Sequence, residues 1–299
     1  MTLTVSELVG AAGGGALGAA LGALGAFSLM GVVVVVATLA TTFGPDTGLV
    51  EGLAFGPVFG PHVMFASGAA AAAYAAYIRR HESGRDIAKP LITYDKMSIL
   101  GVGAIFGVLG QLLARAVGEL PIVHAADGSE ISMVDSLAVS VVLTALIAAA
   151  LWARTPAAER MTWVPWQHRA SAVLTVGAMG GAIAGSVFLA WPEDSRAMAG
   201  LFLYGASAVT LLALVFGAAV PVTHHITLPA ALAAGVVAAH TGEATWILVA
   251  AVAAGIVSSV VAEGWARLVL ERCRMHLDPP AVAIAVMATV LAVTKLGLA

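Results

Sequence analysis

Apolar residues run along this chain in long unbroken stretches, and the polar residues gather in short segments between them. The first stretch, Ser6 to Thr42, would be about 55 Å long as one helix, nearly twice the roughly 30 Å hydrocarbon core of a bilayer. It therefore predicts two spans, divided near Gly25 to Ser28. Later runs predict spans at about 61–78, 97–117, 133–153, 170–191, 198–219, 223–240, 245–268 and 278–297, ten in all. The run Val32 to Val36 would favour a strand in water. In lipid it is expected to be helical, because a helix bonds its own backbone.

Composition agrees with the pattern. The chain of 299 residues is 60% hydrophobic and 10% charged, with a mean hydropathy of +0.98. Soluble domains carry about 25% charged residues, so the expected solvent is the lipid bilayer. A net charge of −3 gives nucleic acid nothing to bind, and nucleic acid is not expected as a partner. The single Cys273 excludes an internal disulfide and a cysteine-rich metal cage. Glu7 precedes the first apolar run without any Lys or Arg, so the first span is expected to be retained rather than cleaved.

The chain also repeats itself. The segment from Leu8 to Leu17 resembles Leu174 to Ile183. Pro61-His62-Val63 lines up with His224-His225-Ile226, and the segment opening at Met133 with the one opening at His276. Three matches in the same order predict two repeats, 5–153 and 170–299, joined by a cytoplasmic linker at 154–169. Five spans per repeat is an odd number, so the second copy would enter the membrane upside down. The charges provide an independent check. Eleven of the 14 basic residues fall on one face: Arg79, Arg80, Arg85, Lys89 and Lys96, then Arg154, Arg160 and Arg169, then Arg267, Arg272 and Arg274. The positive-inside rule places that face in the cytoplasm and both termini outside, in the cell membrane.

Two polar breaks occur at matching places. One reads Phe55-Gly-Pro-Val-Phe-Gly-Pro-His62, with Gly56, Pro57, Gly60 and Pro61 breaking the helix entry. The other reads Pro221-Val-Thr-His-His-Ile-Thr-Leu-Pro229. Irregular backbone at membrane depth is tolerated only inside protein or beside water, and ionisable groups there are functional candidates. His62, His224 and His225, with Thr223 and Thr227, are thus candidates to bind an ion near the midplane, and the breaks are candidate gates. Each His has the alternative of a ring that only fastens its loop. Asp135 and Asp278 open spans 5 and 10, where a carboxylate is also an ordinary helix cap; Pro279 and Pro280 stiffen the second entry.

Two chemistries fit this set. Neutral imidazoles with a carboxylate, here His62, His225 and Asp278, suit a bound divalent transition metal. Inward-pointing helix N-termini suit a small anion, with protonated His linking transport to pH. Other residues read as structural. His81, His124 and His168 are expected in solvated loops, His240 at an interface, Glu263 with Arg267 as a surface pair, and the tryptophans as interfacial anchors. Glycines at Gly14, Gly18 and Gly22, and at Gly181 and Gly185, have the spacing of close helix packing, within the chain or in a homo-oligomer.

The motifs at 55–62, at 221–230 and at His276-Leu-Asp-Pro-Pro-Ala281 resemble an uncharacterised group of archaeal and bacterial polytopic membrane proteins. That likeness covers nearly the whole chain and implies a membrane protein without an assigned activity. The last motif is also distantly similar to the His-Pro-Pro membrane family linked to nitrite transport, with Leu277 and Asp278 standing between the histidine and the prolines.

The expectation is an all-α membrane protein of about ten transmembrane helices in two inverted five-helix repeats. Its expected function is a secondary transporter or channel-like permease for a small ion. A non-transporting partner subunit is the alternative, and it would need its His residues for folding alone. An intramembrane metal-dependent enzyme would need ligands at fixed spacing, which the sequence lacks.

Overall fold

The computed structural model describes residues 3–120, 122–124, 130–153 and 168–298. Among the described residues the fold is all-α apart from one short hairpin, Ile122–His124 (β1) against Glu130–Ser132 (β2), which the apolar pattern does not predict. The first half contributes Val5–Leu21 (α1), Ala23–Phe43 (α2), Met64–Tyr77 (α3), Met97–Gly118 (α4) and Ser136–Trp152 (α5). The second contributes Ala170–Ala190 (α6), Ala197–Thr210 (α7), His224–Ala238 (α8), Ala244–Leu268 (α9) and Pro279–Leu298 (α10). A further turn of helix, Leu212–Val215, extends α7. Among the described residues, six helices are long and apolar enough to cross a membrane: α2, α4, α6, α7 with its extension, α9 and α10. Helices α1, α5 and α8 are apolar but shorter. Most of the linker expected at 154–169, with Arg154, Arg160 and the segment from Pro156 to Trp166, lies outside the described residues.

Helix α1 begins at a capping box. The Thr4 hydroxyl accepts from the Glu7 N–H at 3.2 Å, and the Glu7 carboxylate accepts from the Thr4 N–H at 2.8 Å. The break between α1 and α2 falls at Gly22, not at Gly25 to Ser28. Gly22 has φ +77, and a Cβ there would stand 2.6 Å from the Lys89 carbonyl oxygen. The 79–96 loop closes on this corner, with Leu24 N–H donating to the Ile87 carbonyl at 3.1 Å. A polar, solvated loop was the expectation for this segment. Instead His81 is buried, one ring nitrogen 2.7 Å from the Tyr94 hydroxyl and the other 2.7 Å from the Asp86 carbonyl. The loop also reaches across to the far end of the chain: Gly84 bridges Met275, and Arg85 pairs with Glu271 at 2.7 Å.

Helices α3 and α8 are the inner helices of their halves. Met64 to Ala73 and His224 to Ala231 are buried on every side, as befits helices apolar all round. The packing around them corresponds. Helix α1 packs on α3 and α4 as α6 packs on α8 and α9; α5 packs on α3 and α4 as α10 packs on α8 and α9. The halves join through α2 against α7 and α5 against α10. Small residues allow these approaches. A Cβ at Gly14 or Gly18 would strike the carbonyl of Val58 or Met64, and one at Gly181 would lie 2.6 Å from Val252 Cα. The glycine stripes are thus filled within the chain. Outside, Val36, Ile105, Val257 and Val293 present an apolar surface suited to lipid.

Candidate functional site at the junction of the halves

A cavity of about 620 Å³ lies against the N-terminal end of α8. Its volume is in the range of small-molecule sites. Leu24, Phe27 and Phe65 come to it from the first half; Val173, Leu211, Leu214, Val222 and Ile226 from the second. Its polar groups are Arg85, His168, His224, His225, Ser259, Glu263, His276 and Asp278. His224 and His225 are 5% and 6% exposed, and the Nδ1 of each is buried without a hydrogen-bond partner. Buried polar atoms are nearly always paired; the Nδ1 atoms of His224, His225 and also His62 are exceptions, and the first two residues stand on this cavity's wall.

Their position follows from Pro229. Proline has no N–H, so the His225 carbonyl, four residues earlier, loses its helical donor. The Ser258 hydroxyl of α9 donates to that carbonyl instead. His62 occupies the matching place before α3, but its fate differs. Its carbonyl packs against Gly110 of α4, where a Cβ would strike it, and its Nε2 lies 2.7 Å from Gln111 Oε1. One residue beyond Ser258 stands Ser259, too short to hold an imidazole, with its hydroxyl turned to the Val173 carbonyl at 2.9 Å. Thus Gln111 holds the Nε2 of His62, which keeps its Nδ1 unpaired and lines neither cavity, while His225, its Nδ1 likewise unpaired, lines the large one.

A second cavity, about 50 Å³, lies behind the first. Phe27, Phe65, His224 and Asp278 line both and form the wall between them. The Phe27 ring centre is 4.7 Å from that of His224 and 5.3 Å from that of Phe65; Tyr204 stands 5.5 Å from His224. Asp135 and Asp278 both line the small cavity, as do Phe55, Pro61 and Tyr204.

A family model matches this chain twice, over residues 1–155 and again over 153–298. It describes a family of unknown function, DUF7973. The chain belongs to this family. The His-Pro-Pro membrane family gives no such match. No characterised protein and no solved structure matches the chain significantly.

In this DUF7973 chain the remaining sequence candidates are placed as follows. Asp135 and Asp278 are both N-caps: Asp135 accepts from Ala138 N–H and Asp278 from Ala281 N–H, each at 2.8 Å. Asp278 is also 3.0 Å from His276 Nε2. Thr227 bonds to the Thr223 carbonyl at 3.2 Å and to Ser207 at 3.3 Å, inside the packing. Pro221, Pro279 and Pro280 line the large cavity, whereas Gly56 and Pro57 lie in the turns before His62 and line neither. Gly60 faces the His62 ring, and Pro229 acts through the His225 carbonyl.

The metal set His62, His225 and Asp278 is not assembled. Among the described residues no group of three or more His, Cys, Asp or Glu is arranged to hold a metal, and Gln111 occupies His62. Glu263, expected at the surface, is 5% exposed and lines the large cavity; His168 is exposed, at its edge. Sequence reasoning missed Phe27, Phe65 and Tyr204, aromatic residues within apolar runs that carry no local signal. It also missed Gln111, although a lone amide in an apolar span is a visible anomaly.

Proposed function

We propose that this protein is a secondary transporter or channel-like permease for a small solute, built from two inverted five-helix repeats. The observation that carries this reading is the 620 Å³ cavity that carries two buried histidines with unpartnered Nδ1 atoms and ends at an aromatic wall between two similarly packed halves. A site at the interface of two repeats, beside broken helix entries, is the arrangement alternating access uses. The double match of the family model supports the duplication. The basic bias of the loops supports ten spans with both termini outside, with Arg85 and His168 on the cytoplasmic side of the cavity. In that frame His224 and His225 bind the solute, and the Phe27, Phe65 and His224 wall separates it from the far side.

Flux tests this. Purified protein in liposomes is loaded with a panel of small inorganic ions and small organic solutes, and exchange is followed with and without pH and sodium gradients. Flux of one class in the wild type, lost in His225→Ala while thermal stability is kept, is the expected result. Absence of flux across the panel, with His225→Ala altering stability alone, would favour a partner subunit.

A further inference from the structure

We infer that the small cavity behind the aromatic wall is a separate site for one monovalent cation, held jointly by Asp135 and Asp278. It deepens the transport reading by naming a coupling ion. Four observations converge on it. Each half supplies one carboxylate to the same 50 Å³ space, at the N-terminus of its last helix. No Lys or Arg lines that space among the described residues. His224, whose Nδ1 is unpartnered, lines this space as well as the large cavity. Three aromatic side chains from the first half, Phe27, Phe55 and Phe65, line it together with Tyr204.

Charge decides the valence. Two carboxylates carry two negative charges, and each helix N-terminus offsets about half a charge. With the His276 imidazole, 3.0 Å from Asp278, neutral, about one negative charge is left in a mostly apolar pocket, where an unbalanced charge is costly. A single monovalent cation balances it, and a divalent ion would overshoot. The volume suits the same ligand: it exceeds the least space a water needs and is far too small for an organic solute. Two sources supply such a charge, a sodium ion or a proton. The titratable groups facing the carboxylates are His276, His224, His225 and Tyr204 toward Asp278, and Tyr204 toward Asp135.

Asparagine caps a helix as well as aspartate does, so Asp135→Asn and Asp278→Asn remove charge and keep the caps. The test is thermal unfolding of the purified full chain in detergent, followed by tryptophan fluorescence. Sodium chloride is varied against choline chloride at fixed ionic strength, at several pH values from 5 to 8. If sodium is the ligand, it raises the wild-type midpoint by about 3 °C or more, and both Asn variants lose that rise. If the proton is the ligand, sodium has no effect, the wild-type midpoint falls as pH rises, and both variants flatten the profile. Loss of the response in Asp278→Asn alone would assign it to the His276–Asp278 pair and overturn the shared site. Equal responses in wild type and both variants would overturn it too. Because no flux is measured, failure here leaves the transport reading to its own assay.

Discussion

Replacing Ser258 by alanine isolates what the kink at Pro229 requires of its neighbour. The His225 carbonyl is buried, its helical donor is absent at Pro229, and the Ser258 hydroxyl, itself fully buried, is the group that serves it. Without that hydroxyl the carbonyl is orphaned where water does not reach. Hydrogen bonds between membrane helices average about 0.6 kcal/mol and reach about 1.7, and a fully orphaned buried acceptor costs about 1–3. Ser258→Ala is therefore expected to destabilise the protein by about 1–2 kcal/mol. Pro229→Ala restores an N–H that can donate to the same carbonyl. In that background Ser258→Ala is expected to cost less than about 0.5 kcal/mol, a coupling of about 1 kcal/mol. The four proteins of the cycle are compared by unfolding in mixed micelles of mild detergent and graded dodecyl sulfate. Equal costs of Ser258→Ala in both backgrounds would refute the link between the proline and the serine.

Three further outcomes follow from the same geometry. Ser259→Gln places in α9 the amide that α4 uses to fasten His62, and it is expected to cut flux at least about tenfold without lowering the unfolding midpoint, as a bonded His225 is no longer available to solute. His62→Ala leaves Gln111 unpaired in a packed interior and is expected to cost about 2–4 kcal/mol; His225→Ala, at a cavity wall, is expected to cost less than about 1.5, and the unfolding midpoints of the two variants test the contrast. Gly18→Val drives a side chain into the Met64 carbonyl and is expected to destabilise by about 1–3 kcal/mol, whereas Gly13→Val, where nothing lies within 4 Å of an added Cβ, is expected to be near neutral by the same measurement.

The helices were legible because their residues form long apolar runs. Runs such as 97–118 and 170–190 are predominantly apolar and end at charged or Pro-bearing segments, and their observed limits fall within a residue or two of the expected ones. The Gly22 corner was misplaced because nothing in the apolar pattern distinguishes it from Gly25. What fixes it is the Lys89 carbonyl, more than sixty residues away. The same holds within the site. His224, His225 and Asp278 stood out as ionisable groups in apolar surroundings, and all three line the large cavity. His62 stood out for the same reason, yet Gln111 removes it from the cavities. The charge-bearing residues are visible one at a time. Which of them a neighbour neutralises is a property of helix contacts that a linear pattern does not encode.

The stitch between the 79–96 loop and the end of α9 sets a timetable for assembly. Arg85 and Glu271 are separated by 186 positions, so at a synthesis rate of about 5–20 residues per second the arginine waits roughly 10–40 s for its partner. When that interval begins α1 to α3 are already made, and the Gly84 edge has nothing from the second half to meet until Met275 is added. Closure of the large cavity is therefore among the last events of biogenesis. Chains interrupted before Leu270 are expected to insert their early helices yet leave the loop cleavable by protease, and completion of the 270–278 segment is the step that protects it.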